Sequence, residues 1–461
     1  MKAGLIVLLA SLVTAGLLSA TPVKADATIT SSTVTNGFPR NIVFNVQASA
    51  DVDIVDVTLS YRIVGRNTSA IGKPDFVADA TSIDTDVTVT TGSSSYIPVG
   101  SEFLYHWELA LADGTTTVGP EESFLYLPPG DEWQEVENDI VRVYYQGDRL
   151  PTAAEYLAAG LETYQQMAVD LFGIDLTLLP VKVVLFAEES DLEAARPGAG
   201  GALDAAVVNC GTKVTSDIVF VIHRSCGTDD RTDTFRHEFT HIINEAAGEG
   251  PLGVIPSWLD EGTAVHSQSD PGANYVGAVD AAIRSNRLIP FAQMATASAD
   301  ANQVNLFYGQ AYSMVEFLLD EAGPGTFAEY FATIKAGTRF DVALEQVYGF
   351  DLAGFEEAFK EANGIDSSAG PTAAPTSAGS QTQATPVPTR TPLQTSNSND
   401  GDDDGIPLAV IGIVGVSVFF ALVAVFFYLL SVMLANNRKA AAGASAPPRD
   451  DEWRPPPPPN P

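Results

Sequence analysis

Thr234-Phe235-Arg236-His237-Glu238-Phe239-Thr240-His241-Ile242-Ile243-Asn244 is the stretch on which the reading of this chain turns. It lies in a helical pattern predicted to run from Asp233 to a stop at Gly248. Residues four apart on a helix share a face, so His237 and His241 can reach one ion, at the roughly 2.0 to 2.1 Å that zinc and imidazole nitrogen prefer. Glu238, one residue on, is angled away from direct ligation. It points instead toward a water at the metal's open position, where a carboxylate can accept a proton. The competing reading is two core histidines and a surface glutamate. With five histidines in the chain, a chance H-E-x-x-H arises on the order of a few times per thousand such sequences, so the motif needs a further ligand to support it.

A catalytic zinc site takes a third protein ligand and keeps a fourth position open. Twenty residues after His241 stands Glu261, in Pro256-Ser257-Trp258-Leu259-Asp260-Glu261-Gly262, where proline is expected to open a second helix lying against the first. With this spacing the chain resembles the gluzincin metallopeptidases, the thermolysin-like clan, and in particular bacterial peptidase MA-like domains. The resemblance implies that His237, His241 and Glu261 hold one zinc ion per chain and that Glu238 is the general base and acid. It also implies a zincin-type fold and amide hydrolysis by water activated at the metal.

Downstream, Leu306-Phe307-Tyr308-Gly309-Gln310-Ala311-Tyr312-Ser313-Met314-Val315-Glu316-Phe317-Leu318 resembles the family's helix after the metal site. In many members a tyrosine there donates a hydrogen bond to negative charge developing on the carbonyl oxygen. Tyr308 is the candidate and Tyr312 the reserve, against a reading of both as core aromatics of an amphipathic helix. His223, in the strand before the metal helix, is a candidate for oxyanion or substrate contact, or for a structural role at a strand end. The family's way of receiving substrate by strand addition would fall here on an edge strand at Ile218 to His223.

The chain departs from the clan's pattern twice. Position 265, one helical turn after Glu261, is valine where thermolysin-like enzymes carry an acidic partner for a histidine ligand, so Asp260 or another residue must orient the ligands. Gly198-Ala199-Gly200-Gly201-Ala202-Leu203 lacks the glutamate with which gluzincin aminopeptidases grip a substrate amine. The second departure favours an endopeptidase over an aminopeptidase. A third reading is a surface adhesin or scaffold with a relic peptidase fold, although a relic has no chemical need for Glu238.

Outward from the motif, residues 132–365 read as an α+β domain, a small mixed sheet followed by helices. Residues 152–172 put Tyr156, Leu157, Leu161, Tyr164, Met167, Ala168 and Leu171 at helical spacing, with Gly160 on the same side. Strands are expected at Val181 to Ala187, Ala205 to Asn209 and Ile218 to His223, then helices to about Asn363. Residues 27–130 alternate in short runs: Asn41 to Gln47, Val52 to Arg62, Asp84 to Thr90, Glu102 to Ala112, and Glu122 to Leu127. That spacing, with a hairpin turn at Ala112-Asp113-Gly114, reads as an all-β sandwich of immunoglobulin or fibronectin type. His106 sits there among alternating aromatics as a packed or surface side chain, with no ligand's company.

The ends have their own compositions. Residues 1–25 combine Lys2, an apolar run from Leu5 to Leu18 and Val23-Lys24-Ala25, the pattern of a removed signal peptide, with a retained anchor as the alternative. Residues 366–404 are a Ser, Thr and Pro-rich stalk that has too few apolar side chains to bury a core and is expected to be disordered. The uncharged run at 406–434 is long enough for one transmembrane helix. Asp402, Asp403 and Asp404 precede it and Arg438 and Lys439 follow, so the positive-inside rule puts the 435–461 tail in the cytoplasm and the rest outside the cell membrane. In the tail, Pro455 to Pro459 form a polyproline segment that could dock a cytoplasmic protein, or a plain disordered end.

The formal charge of -34, from 58 acidic against 24 basic residues, leaves no basic patch and excludes nucleic acid as a partner. Peptide or protein substrate and membrane are the partners expected. Cys210 and Cys226 fall in the exported part, where they either pair, contributing on the order of 3 kcal/mol, or stay as two buried thiols.

Overall fold

The computed structural model describes residues 26–365 apart from 93–94, 131, 197–209, 225–227 and 298–300. The expected signal peptide, stalk, transmembrane helix and tail, the Ala205 to Asn209 strand, the Gly198 to Leu203 stretch and Cys226 lie outside the described residues. Among the described residues no helix is long and apolar enough to cross a membrane.

An all-β region comes first. Its strands are β1 (Ala27–Gly37), β2 (Asn41–Ile63), β3 (Ser69–Gly72), β4 (Ala80–Thr90), β5 (Ser101–Leu111), β6 (Thr116–Val118) and β7 (Glu122–Tyr126). The two runs expected at 41–47 and 52–62 are one long strand. Its first half pairs with β1 and β4 and its second half with β3 and β5, with register shifts near residues 49–54. Phe44 of the first half lies 4.9 Å from Tyr105 and 6.1 Å from Tyr61, ring to ring, so the halves face each other across apolar side chains. β5 alternates buried and partly exposed positions throughout, the mark of a strand with one face on a core. His106, on the outer side of β5, contacts Glu108 at 3.1 Å.

A five-stranded mixed sheet follows, in the order β11 (Gly211–Thr215), β12 (Ile218–Ile222), β10 (Val181–Phe186), β9 (Val141–Gln146), β8 (Trp133–Glu137). β9, β10 and β12 run parallel, while β8 and β11 pair antiparallel at the two edges. The expectation that Ile218 to His223 is an edge strand is therefore corrected: β12 is interior, and the short polar β11 covers it.

β10 and β12 are buried at every position, as strands covered on both faces must be. On one face Val183, Leu185, Val219 and Val221 pack beneath α1 (Leu150–Thr163), its π-helical continuation Tyr164–Phe172, and α3 (Asp233–Gly248). On the other, Val184, Phe186, Phe220 and Ile222 belong to the apolar cluster of the all-β region. Between the strands, α2 spans Glu189–Ala195.

On the helical side, Gly160 seats α1 against the sheet: a Cβ there would lie 2.4 Å from Val141 Cγ2. The buried face accordingly runs through Ala153, Tyr156, Gly160 and Thr163, which leaves Leu161, expected on the apolar face, 52% exposed. The remaining helices are α4 (Ser257–His266), α5 (Ala273–Ser285), α6 (Val304–Lys335, broken at Gly323 by its positive φ and by Pro324), α7 (Phe340–Tyr348) and α8 (Leu352–Ala362). Their core gathers Trp258, Met314, Phe327, Phe331 and Phe355.

Candidate metal centre

α3 lies across the sheet with Phe235, Phe239, Ile242 and Ile243 against the strands, and this fixes the rotation of its other face. His237 and His241 project from that face, each with a side chain only 12% exposed. Pro256 ends the preceding loop in extended conformation as the cap of α4, one position before the helix it was expected to open from within. α4 brings Glu261 to the two imidazoles.

Glu261 Oε2 lies 3.1 Å from His237 Nε2 and 3.6 Å from His241 Nε2, and one donor atom from each of the three residues falls within 4.8 Å of the others. Among the described residues this is the only such cluster of His, Cys, Asp and Glu. Two imidazole nitrogens and one carboxylate oxygen are the donor set of a catalytic zinc site with a position to spare. The charge balance fits a cation too. Burial opposes the protonated form of His241, yet Asp260, Glu261 and Glu238 outweigh it and push its pKa up to about 10. The acidic groups around the site also favour a cation.

Asp260 lies on the far side of His241, with Oδ1 2.9 Å from Nδ1. Burial pulls its pKa upward, but His241 and a hydrogen bond from Asn244 Nδ2 at 2.9 Å hold it below the usual carboxylate range. Val265, where thermolysin-like enzymes carry the acidic partner, is fully buried. Glu238 is fixed from the edge strand: Lys213 N–H donates to its Oε2 at 2.6 Å. Lys213 Nζ also donates to the His241 carbonyl at 3.3 Å.

The structure brings Tyr308 to the cluster and leaves Tyr312 away from it. The Tyr308 ring centroid is 6.0 Å from that of His237. Its phenol pKa is raised well above the ordinary value, first by the charge of Glu261, then by burial and by a hydrogen bond to the same carboxylate. The Tyr312 phenol is raised above its ordinary pKa first by burial and then by the charges of Glu316, Asp270 and Asp320. His223 is tied to the strand beside it, its Nδ1 3.3 Å from the Phe186 carbonyl. Cys210 is disulfide-bonded.

Three neighbours of the cluster carry no mark in the sequence. Lys213 sits on a strand too short and polar to register, Asn244 is simply the residue three on from His241, and Tyr275 opens α5 with no pattern to mark it. Tyr275 stacks on Tyr308 at 5.2 Å and 13°. Burial first, then Glu261 and Glu238, push its phenol up to about 12.

A sequence model of the Peptidase MA superfamily matches residues 216–363, from the turn before β12 to the end of α8, and so spans the whole cluster. This part of the chain carries a peptidase MA-like domain, which suggests a hydrolase. No curated protein matches the chain. Among solved structures, a purple acid phosphatase from seeds of yellow lupin (Lupinus luteus) is similar over 34% of this chain and 28% of that one. The identity is 14% and the TM-score 0.17, too slight a likeness to argue from.

Proposed function

We propose that the chain is a zinc-dependent endopeptidase of gluzincin type, secreted and held on the outer face of a cell membrane by one transmembrane helix at 406–434. The observation that carries the catalytic part is the convergence of His237, His241 and Glu261 within 4.8 Å, with Glu238 on the same helix as both imidazoles. The anchoring rests on the uncharged run and the Asp402–Asp404 and Arg438–Lys439 asymmetry around it. The all-β region is read as an immunoglobulin or fibronectin-type sandwich, supported by the ring contacts of Phe44 across it.

In this reading His237, His241 and Glu261 hold the ion. Zinc held there would supply Lewis acidity toward a carbonyl oxygen and toward an attacking water. Glu238 takes the proton from the attacking water and returns it to the leaving amine nitrogen. The Lys213 N–H on Oε2 fixes that carboxylate while it does so. Tyr308 donates its phenol hydrogen to the charge developing on the carbonyl oxygen. Asp260, itself held by Asn244, keeps the His241 ring in place.

The test is a quenched-peptide library assayed with the parent and with Glu238→Gln, each with and without chelator. Hydrolysis is expected to fall by about 10³-fold or more in the variant, an effect of general-base size, while zinc content is retained. Amine-blocked peptides should still be cut. Cleavage that persists in chelator, or a variant as active as the parent, would overturn the assignment.

A further inference from the structure

Tyr308 is held from two sides. One neighbour is His237, 6.0 Å away; the other is Tyr275, stacked nearly parallel at 5.2 Å and 13°. From the geometry we infer that Tyr275 is a positioning residue, whose ring fixes the Tyr308 phenol over the metal-ligand cluster. The inference rests on the peptidase reading above and assigns a residue to which that reading gives no role.

The stack is built, and its supports are visible in the backbone. Gly309, next to Tyr308, lets α5 approach α6 closely: a Cβ at 309 would lie 2.3 Å from the Tyr275 carbonyl oxygen. The segment leading into α5 is laced to the start of the metal helix. Ser269 N–H and Oγ both donate to the fully buried Asp233, at 2.7 and 3.0 Å, and Ser267 Oγ donates to the Arg236 carbonyl at 3.2 Å. Asp270 Oδ1 accepts from Gly272 N–H at 2.9 Å, where a positive φ turns the chain into the helix. The residues that place Tyr275 are thus bonded to the first turn of the helix that carries His237. A phenol that must meet developing charge gains from such fixing, because a misplacement of about 1 Å can cost up to about 100-fold in rate.

The experiment compares Tyr275→Phe, Tyr275→Leu, Tyr308→Phe and the Tyr275→Leu/Tyr308→Phe double variant in the full chain. Tyr275→Phe keeps the stack and is expected within about twofold of the parent. Tyr275→Leu is expected to lower kcat by roughly tenfold, with KM little changed and zinc retained, as loss of transition-state placement requires. The double variant should be no slower than Tyr308→Phe alone. In parallel, fluorine NMR of 3-fluorotyrosine-labelled protein reads the Tyr308 ring directly, its resonance assigned by Tyr308→Phe. That resonance should move toward the solvent-averaged position in Tyr275→Leu and stay put in Tyr275→Phe.

An unmoved Tyr308 resonance in Tyr275→Leu overturns the inference whether or not the chain hydrolyses peptides. So does a Tyr275→Leu loss that adds in full to that of Tyr308→Phe. A Tyr275→Phe variant as slow as Tyr275→Leu would give the role to the hydroxyl and sink the stacking proposal. Failure of the peptidase reading shows separately, as Glu238→Gln retaining activity.

Discussion

The two faces of the five-stranded sheet are equally apolar and are covered by different kinds of structure. Val183, Leu185, Val219 and Val221 lie beneath helices, one of which presents His237 and His241 on its far side. Val184, Phe186, Phe220 and Ile222 share one apolar cluster with the all-β region and with Leu192 and Ala195 of α2. A sheet with parallel strands needs both covers, because no face of it can be left to water. The difference teaches that the all-β region takes part directly in the packing of the sheet. The helical cover carries His237 and His241 of the candidate metal cluster, and the all-β region contributes to the opposite apolar layer. The two are also joined by charge: Asp217, 3% exposed in the turn before β12, meets Lys182 of β10 at 3.0 Å and Arg66 of the all-β region at 2.9 Å.

The comparison breaks most completely if the β cover is removed. Deleting residues 27–130 removes most of the apolar cluster that holds Tyr144, Val184, Phe186, Ile218, Phe220 and Ile222, and should uncover them in part. At about 1.5 to 3 kcal/mol per large apolar side chain the cost is on the order of 10 kcal/mol, comparable to a whole domain's stability. Residues 132–365 alone should therefore fail to give a cooperative thermal transition. A sharp melt and a monomeric elution would show that the β region is a detachable module.

Next in size is Asp217→Ala, which leaves Lys182 buried without its partner and should cost about 3 to 5 kcal/mol in denaturant unfolding. Zinc stoichiometry should be unchanged, since the loss falls on the platform side. A cost below about 1 kcal/mol, the size of an exposed ion pair, would mean the two covers are not joined there. Smaller still, and on the chemical side, Asp260→Ala should weaken zinc binding by about 10 to 100-fold with little change in melting temperature. Competition against a chromophoric chelator reads that number, and an unchanged affinity would remove Asp260 from the site.

The His237, His241 and Glu261 cluster was legible because its spacing is local: two histidines four residues apart on one helix and a carboxylate twenty positions on are patterns that a sequence displays. The helix that carries Tyr308 was legible too. What escaped reading depends on distant pairing. β11 is five residues with Lys213 at its centre, a polarity suited to an edge and easily taken for a loop. The β8–β9 hairpin turns on Asn138, whose Oδ1 accepts from the Ile140 and Val141 N–H groups, but its outer strand buries too little to alternate. The helical face at α1 was misjudged at Leu161 because only the close approach of Gly160 to Val141 decides which side meets the sheet. Tyr275 shows itself only when α5 is laid against α6. The sharing of the sheet between two cores is likewise a property of packing, since uniformly apolar strands do not say what covers them.

Zinc content by native mass spectrometry, for the purified parent and for His237→Ala/His241→Ala, tests the central claim most directly. The parent should carry one zinc per chain, and the double variant, folded by circular dichroism, should carry none. A parent that stays metal-free in micromolar zinc, or a variant that keeps its ion, would contradict the assignment of His237, His241 and Glu261 as the metal's ligands.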